Sequence, residues 1–229
     1  MTRLGKRPQT NYIFPLKYSN QAPTGFITDM RIEICGGVAS GKTTVGTLTA
    51  RIDWLPVFED FRNNPFWKSF YTDRTGVAFE AEICFLLQHY HDIKTATKKA
   101  GNVACDFSLL LDLAYSDVTL NRGKRSAFSV LYREIRKELP NPDLFIHLVC
   151  DPEIELERIR LRGRHVEQSI TVDYLAAINR ALADVIRKEA NSWNVLAINS
   201  AALDFANVEQ DKQTVLECVE DRLGANIDK

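Results

Sequence analysis

The densest chemistry in the chain lies at Gly36-Gly37-Val38-Ala39-Ser40-Gly41-Lys42-Thr43-Thr44. Gly36, Gly41, Lys42 and Thr43 fill the fixed positions of G-x-x-x-x-G-K-[ST]. Glycines there let the backbone turn so that successive N–H groups point inward at phosphate oxygens, and the N-terminus of a following helix adds partial positive charge. Lys42 is then placed to reach the β- and γ-phosphates of ATP, and Thr43 to offer its hydroxyl to Mg²⁺. A second constellation is Glu157-Arg158-Ile159-Arg160-Leu161-Arg162-Gly163-Arg164, followed by Glu167-Gln168. Arg158 and Arg162 share one face of a helix, and Arg164 lies just past a glycine break. A mobile cationic flap of this kind suits phosphoryl transfer, where it neutralises charge and expels water as it closes. The glycine loop alone does not say which molecule accepts the phosphate.

For the loop to work, a strand must precede it and a helix must follow. Apolar β-type runs at 31–36, 55–58, 103–107, 144–150 and 195–199 alternate with helical patterns at 43–51, 77–99, 126–139, 152–162, 172–192 and 208–223. The 77–99 pattern carries apolar residues at 79, 83, 86, 87, 90 and 93. Pro140 and Pro142 end one helix, and Pro152 opens the next at its favoured first position. Short strands without alternation are those covered by helices on both faces. The expected fold is α/β, with a five-stranded parallel sheet between two helical layers.

Charge is nearly balanced, 29 Lys+Arg against 30 Asp+Glu, which points away from nucleic acid or a membrane surface and toward a small-molecule partner. The five cysteines form no C-x-x-C pair, as expected of reduced, buried thiols in a cytoplasmic protein. No apolar run approaches the roughly 18 residues that cross a membrane. The front of the chain has Arg3, Lys6, Arg7 and Lys17 but no acid before Asp29. Organelle transit peptides share that composition. Its prolines and its lack of an Arg-rich amphipathic helix favour a flexible or surface-lying extension over 1–27, ahead of one domain at 28–229.

The order of several blocks resembles one family. The glycine loop is followed by Phe58-Glu59-Asp60-Phe61, Asn64-Pro65-Phe66 with Phe70-Tyr71, Phe85-Leu86-Leu87-Gln88, ERIRLRGR, EQSI and DYL. Together they resemble the deoxyribonucleoside kinases, nearest the bacterial branch of deoxyadenosine and deoxyguanosine kinases, from about Arg31 to Leu223. The resemblance implies a three-layer P-loop kinase fold with an arginine-rich lid, a homodimer, and transfer from ATP to the 5′-OH of a deoxyribonucleoside. Glu59, at the carboxyl end of the second strand where open α/β sheets bind ligands, resembles the general base, with Lys42, Arg158, Arg162 and Arg164 stabilising charge. Tyr71 and Glu167 resemble the pair that bonds the sugar 3′-OH. Asp106 resembles the acid that joins Thr43 at Mg²⁺.

The base-reading set departs from the pattern. Glu82 stands where better-known members carry glutamine, and an ionised carboxylate only accepts, which suits purine N–H groups, those of guanine above all. His89 stands where animal relatives have arginine, and Asp112 resembles the acid supporting that arginine. Phe107 replaces an arginine after the acid, as the bacterial branch tolerates. Thymidylate kinases use an arginine in that motif to grip a monophosphate, so Phe107 argues for an uncharged acceptor. Two rival readings remain on this scaffold: a nucleoside monophosphate kinase, and a non-catalytic relative such as the kinase-like accessory subunit of respiratory complex I. The joint presence of the glycine loop, Glu59 and the arginine lid weighs against the second.

Overall fold

The computed structural model describes residues 30–99 and 101–227. The 1–27 extension and its bearing on location therefore lie outside the described residues. Five strands, β1 (Arg31–Gly36), β2 (Leu55–Val57), β3 (Val103–Cys105), β4 (Leu144–Val149) and β5 (Val195–Asn199), form one sheet in the order β2-β3-β1-β4-β5. Every pairing is parallel, with Ile34 opposite Ile146, Glu33 opposite Cys105, and His147 opposite Ala197. The helices are α1 (Lys42–Thr49), α2 (Trp67–Thr72), α3 (Arg74–Lys99), α4 (Leu109–Thr119), α5 (Arg122–Glu138), α6 (Pro152–Arg162), α7 (Val172–Glu189) and α8 (Glu209–Ile227).

Alternation along the strands divides the core into two layers. Ile32, Ile34, Ile146 and Leu148 point to one face, where Val45 and Leu48 of α1 meet Val215, Leu216 and Val219 of α8. Cys35, Cys105 and Phe145 point to the other, beneath Leu86 and Ile93 of α3, Leu110 of α4, Phe128 of α5 and Leu182 of α7. Glu33 interrupts the apolar run of the central strand. It is buried and accepts from Arg31 Nε at 3.0 Å, while Arg31 Nη2 donates to the Pro140 carbonyl. The charges are paired, as burial of either requires.

Sequence periodicity differs from the structure at two helices. α4 has no amphipathic stripe because nearly its whole surface is covered, with Leu109, Leu110, Leu111, Asp112, Ala114 and Ser116 all buried. Its start is marked only by Ser108, whose side chain accepts from the Leu111 N–H. α2 is six residues long, too short to carry a period. Strands β2, β3 and β4 end at Val57, Cys105 and Val149, short of the expected limits, because the chain turns there into the loops at the carboxyl edge. α5 starts four residues ahead of its apolar pattern, where Asn121 accepts from the Lys124 N–H.

Candidate active site

The loop between β1 and α1 sits at the carboxyl edge of the central strand, at the switch point of the sheet, with β3 on one side and β4 on the other. Gly41 (φ +105°) and Ala39 (φ +61°) take left-handed conformations that wrap the chain around the helix N-terminus. α1 has no acid in its first turn, so its end stays attractive to anions. Lys42 Nζ lies over the loop and donates to the carbonyl oxygens of Gly36 at 3.0 Å and Gly37 at 2.8 Å. Val38 and Ala39 are half-buried, and Ser40 is fully buried with its Oγ unpaired among the described residues.

A cavity of about 440 Å³ opens from this loop, and it is lined by residues of the loop, the segment after β2, α3, α4 and α6. Thr43 Oγ1 donates to Asp106 Oδ2 at 2.7 Å, and Asp106 Oδ1 accepts from the Glu59 N–H at 2.7 Å. One carboxylate thus ties the glycine-loop helix to the segment after β2. Glu59 faces the cavity with its side chain 30% exposed, open enough to meet a substrate. Its Oε1 accepts from His89 Nε2 at 3.2 Å, and His89 Nδ1 lies 2.9 Å from Asp112 Oδ2. Burial works against the charged Glu59 carboxylate, but the His89 hydrogen bond and the charges of His89, Lys42 and Arg164 outweigh it and lower its pKa.

The flap is anchored through Glu167. This buried carboxylate accepts from Arg162 Nη2 at 2.6 Å and from Arg164 Nη1 at 3.2 Å, on either side of Gly163, whose φ of +67° ends α6. The Arg164 guanidinium also lies 4.5 Å above the Phe61 ring. Arg158 stands apart from the other two. It donates to the carbonyl oxygens of Ala39 at 3.4 Å and Ser200 at 2.6 Å, bracing the glycine loop against the segment after β5. Tyr71 lines the cavity from α2, edge-on to Trp67, and Ser169 Oγ donates to its backbone oxygen. Glu82 is buried in α3 and accepts from Thr119 Oγ1 at 2.9 Å. All the expected site residues therefore gather around one cavity and its loop, Arg158 included, its guanidinium bonded there to backbone carbonyls.

Three participants escape sequence reasoning. Leu111 and Tyr115 line the cavity from α4, which has no periodic signature. Glu155, in the first turn of α6, reaches under the glycine loop and accepts from Asn179 Nδ2 at 3.1 Å. A Cβ on Gly37 would lie 2.0 Å from Glu155 Oε1, so only glycine admits this contact. Burial raises the Glu155 pKa to about 7, against the Asn179 hydrogen bond and the charges of Lys42 and Arg158. Folded, the carboxyl holds its proton above the ordinary value of 4.5, so its contribution is complete below that value and is lost as pH rises toward 7. Glu155→Gln is therefore expected to flatten this decline and to raise unfolding free energy by ~1–3 kcal/mol near about pH 8, measured by urea titration. An unchanged slope between about pH 5 and about pH 8 would show that Glu155 is ionised in both states.

Comparison with known proteins agrees with this geometry. The chain is 28% identical over 207 residues to a deoxyguanosine kinase of Lactobacillus acidophilus, covering 84% of this chain and 90% of the relative. It is 26% identical over 190 residues to a deoxyadenosine kinase of Dictyostelium discoideum, covering 80% and 77%. The fold superimposes with a TM-score of 0.72 on a deoxyadenosine kinase from M. mycoides solved with bound dCTP, at 19% identity, over 84% of this chain and all of that one. The family model for deoxynucleoside kinases matches residues 32–223, which take in all five strands but for Arg31 and every element around the cavity. The chain belongs to the deoxynucleoside kinase family.

Proposed function

We propose that the protein transfers the γ-phosphate of ATP to the 5′-OH of a deoxyribonucleoside, with deoxyadenosine or deoxyguanosine preferred. The observation that carries this reading is one shared cavity whose lining brings Glu59 together with Lys42, Thr43 and the lid arginines. ATP would lie with its phosphates in the loop of Gly36 to Thr44, under the N–H groups of α1. Lys42 would turn from the Gly36 and Gly37 carbonyls toward the β- and γ-phosphates, while Arg162 and Arg164 shield the transferring group and Arg158 holds the loop. Glu59 would accept the 5′-OH proton as the oxygen attacks phosphorus.

The Thr43 hydroxyl and the Asp106 carboxylate are hard oxygen donors 2.7 Å apart, a set that fits Mg²⁺ completed by phosphate oxygens and water. When bound there, the ion would neutralise charge shared between the β- and γ-phosphates. Tyr71 and Glu167 would hold the sugar 3′-OH, and Glu167 would link that contact to the lid through Arg162 and Arg164. Glu82 lines the cavity from α3 and supports a purine with N–H donors on its edge. Phe107 is buried against His89 and carries no charge, which supports a nucleoside over a monophosphate.

The apolar side chains of Leu87 on α3 and Val130 on α5 are half-exposed, and they support a homodimer through the long helices. No helix among the described residues is long and apolar enough to cross a membrane, and the cytoplasm is the proposed location. The decisive experiment supplies γ-labelled ATP and Mg²⁺ with each of the four deoxyribonucleosides and, separately, the matching monophosphates. Label is expected in nucleoside 5′-monophosphates, purines first. Label only in diphosphates would replace this reading with a monophosphate kinase, and none at all, with ATP still bound, with a non-catalytic relative.

A further inference from the structure

We propose that His89 is a positioning residue for phosphoryl transfer, a doubly protonated imidazole wedged between Asp112 and Glu59 that fixes the Glu59 carboxylate at the cavity. This inference rests on Glu59 as the base that receives the 5′-OH proton.

The ring nitrogens carry the argument. Nδ1 lies 3.0 and 2.9 Å from the two oxygens of Asp112, and Nε2 lies 3.2 Å from Glu59 Oε1. Carboxylates only accept, so a carboxylate at each nitrogen is satisfied only when both nitrogens carry protons. A neutral imidazole would turn a lone pair toward one of the two carboxylates, the buried Asp112 or the half-buried Glu59. The ring is also clamped. Phe107 stacks on it at 4.3 Å and 14°, and Phe85 approaches from a centroid distance of 5.9 Å. The stacked face favours a cation over a neutral ring. Other charges around the cluster are Asp92, which acts on His89 along α3, and Lys42 and Arg164, which act on Glu59. Burial opposes the charge on His89, yet Asp112 and Glu59 prevail and raise its pKa to about 10.

Two consequences set this role apart from reading the nucleobase. Both nitrogens are occupied, so His89 could bond a base only by leaving one carboxylate uncompensated. The Phe107 stack also explains how the site works without an arginine after Asp106, because His89 delivers a positive charge to Glu59 from α3 instead. With Oε1 pinned, Oε2 is the oxygen left to meet the acceptor hydroxyl. Without the pin, a partly exposed carboxylate samples several rotamers, and orientation of this sort is worth tenfold or more in rate.

Two measurements on the full chain test this. The first is ¹⁵N NMR of the histidine rings of the wild-type protein near about pH 8, with the His89 signal assigned by its loss in His89→Gln. Both His89 nitrogens are expected to be protonated at a pH where ordinary histidines are neutral. A singly protonated His89 ring would overturn the proposal, and four singly protonated rings, one for each histidine of the chain, would do so whether or not any variant folds. The second is kinetics with ATP and a purine deoxyribonucleoside. His89→Gln and His89→Phe are expected to lower kcat by roughly 10–100-fold with the nucleoside KM changed less than about threefold, and His89→Arg to recover most of the loss. A raised KM at unchanged kcat would make His89 a base-reading residue and sink the positioning role. If the wild type is active, Glu59→Gln is inactive and the His89 variants keep full kcat, only this inference fails. If the wild type phosphorylates no nucleoside, the reading of Glu59 beneath it fails as well.

Discussion

Replacing Glu59 by glutamine is expected to lower kcat for phosphorylation of a purine deoxyribonucleoside by roughly 10²–10⁴-fold, the range for loss of a positioned general base. The substitution is nearly isosteric. The amide oxygen can still accept from His89 Nε2, and the backbone N–H of residue 59 still reaches Asp106 Oδ1, so the link to Thr43 and the glycine loop is kept. What is lost is the ability to take a proton. ATP affinity should therefore stay within about twofold, because the phosphates are proposed to bind α1 and its loop. Rate and affinity separate cleanly in this design. Glu59→Asp should also be slow, since the shorter side chain draws back from His89. A rate for Glu59→Gln near that of the wild type would mean that solvent accepts the proton and that Glu59 serves only as a brace.

How much of this was legible in the sequence depends on whether a residue's role is local. The glycine loop is local: its spacing, the apolar run before it and the helix after it all lie within the nineteen residues from Arg31 to Thr49, and the structure has each of them where expected. The arginine flap is local too, with Gly163 closing α6 in the left-handed conformation only glycine adopts cheaply. The contacts among distant residues were not legible. That His89 would touch Glu59 depends on how α3 crosses the end of β2, and that Glu155 would reach Gly37 depends on α6 passing beneath the loop. α4 was hidden for a different reason. A helix covered on all sides has no polar face, so periodicity had nothing to register, although α4 supplies Asp112, Leu111 and Tyr115 to the cavity.

Arg158 and Arg162 show how two residues of one motif can take different partners. Their spacing puts both on one helical face, but α6 leans so that Arg158 meets the Ala39 and Ser200 carbonyls while Arg162 meets Glu167. Two arginines of one motif thus hold two different structures, the glycine loop and the lid. Glu167, proposed to bond the sugar, is also the carboxylate that holds Arg162 and Arg164. A nucleoside bonded to that carboxylate would compete with, or reinforce, its grip on Arg162 and Arg164, which gives the acceptor a direct means of drawing the arginines inward.

The second large effect is expected at Lys42. Lys42→Met should lower kcat/KM for ATP by roughly 10²–10³-fold, the loss that follows removal of one preorganised charge from a transition state. Lys42 Nζ rests on the Gly36 and Gly37 carbonyls, so it is already within the loop and needs only a side-chain rotation to meet a phosphate. Methionine fills the same volume without a donor, and Lys42 is itself half-buried rather than enclosed, so water can reach the place its amine leaves beside the two carbonyls. The change in melting temperature should accordingly be only a few degrees. Lys42→Arg should not restore activity, because a planar guanidinium cannot enter a loop shaped around a compact ammonium. Steady-state kinetics with varied ATP, read beside a thermal melt, tests all of this. Full activity in Lys42→Met would remove the glycine loop from the chemistry, and a collapsed melt would make the lysine a structural pin of that loop instead.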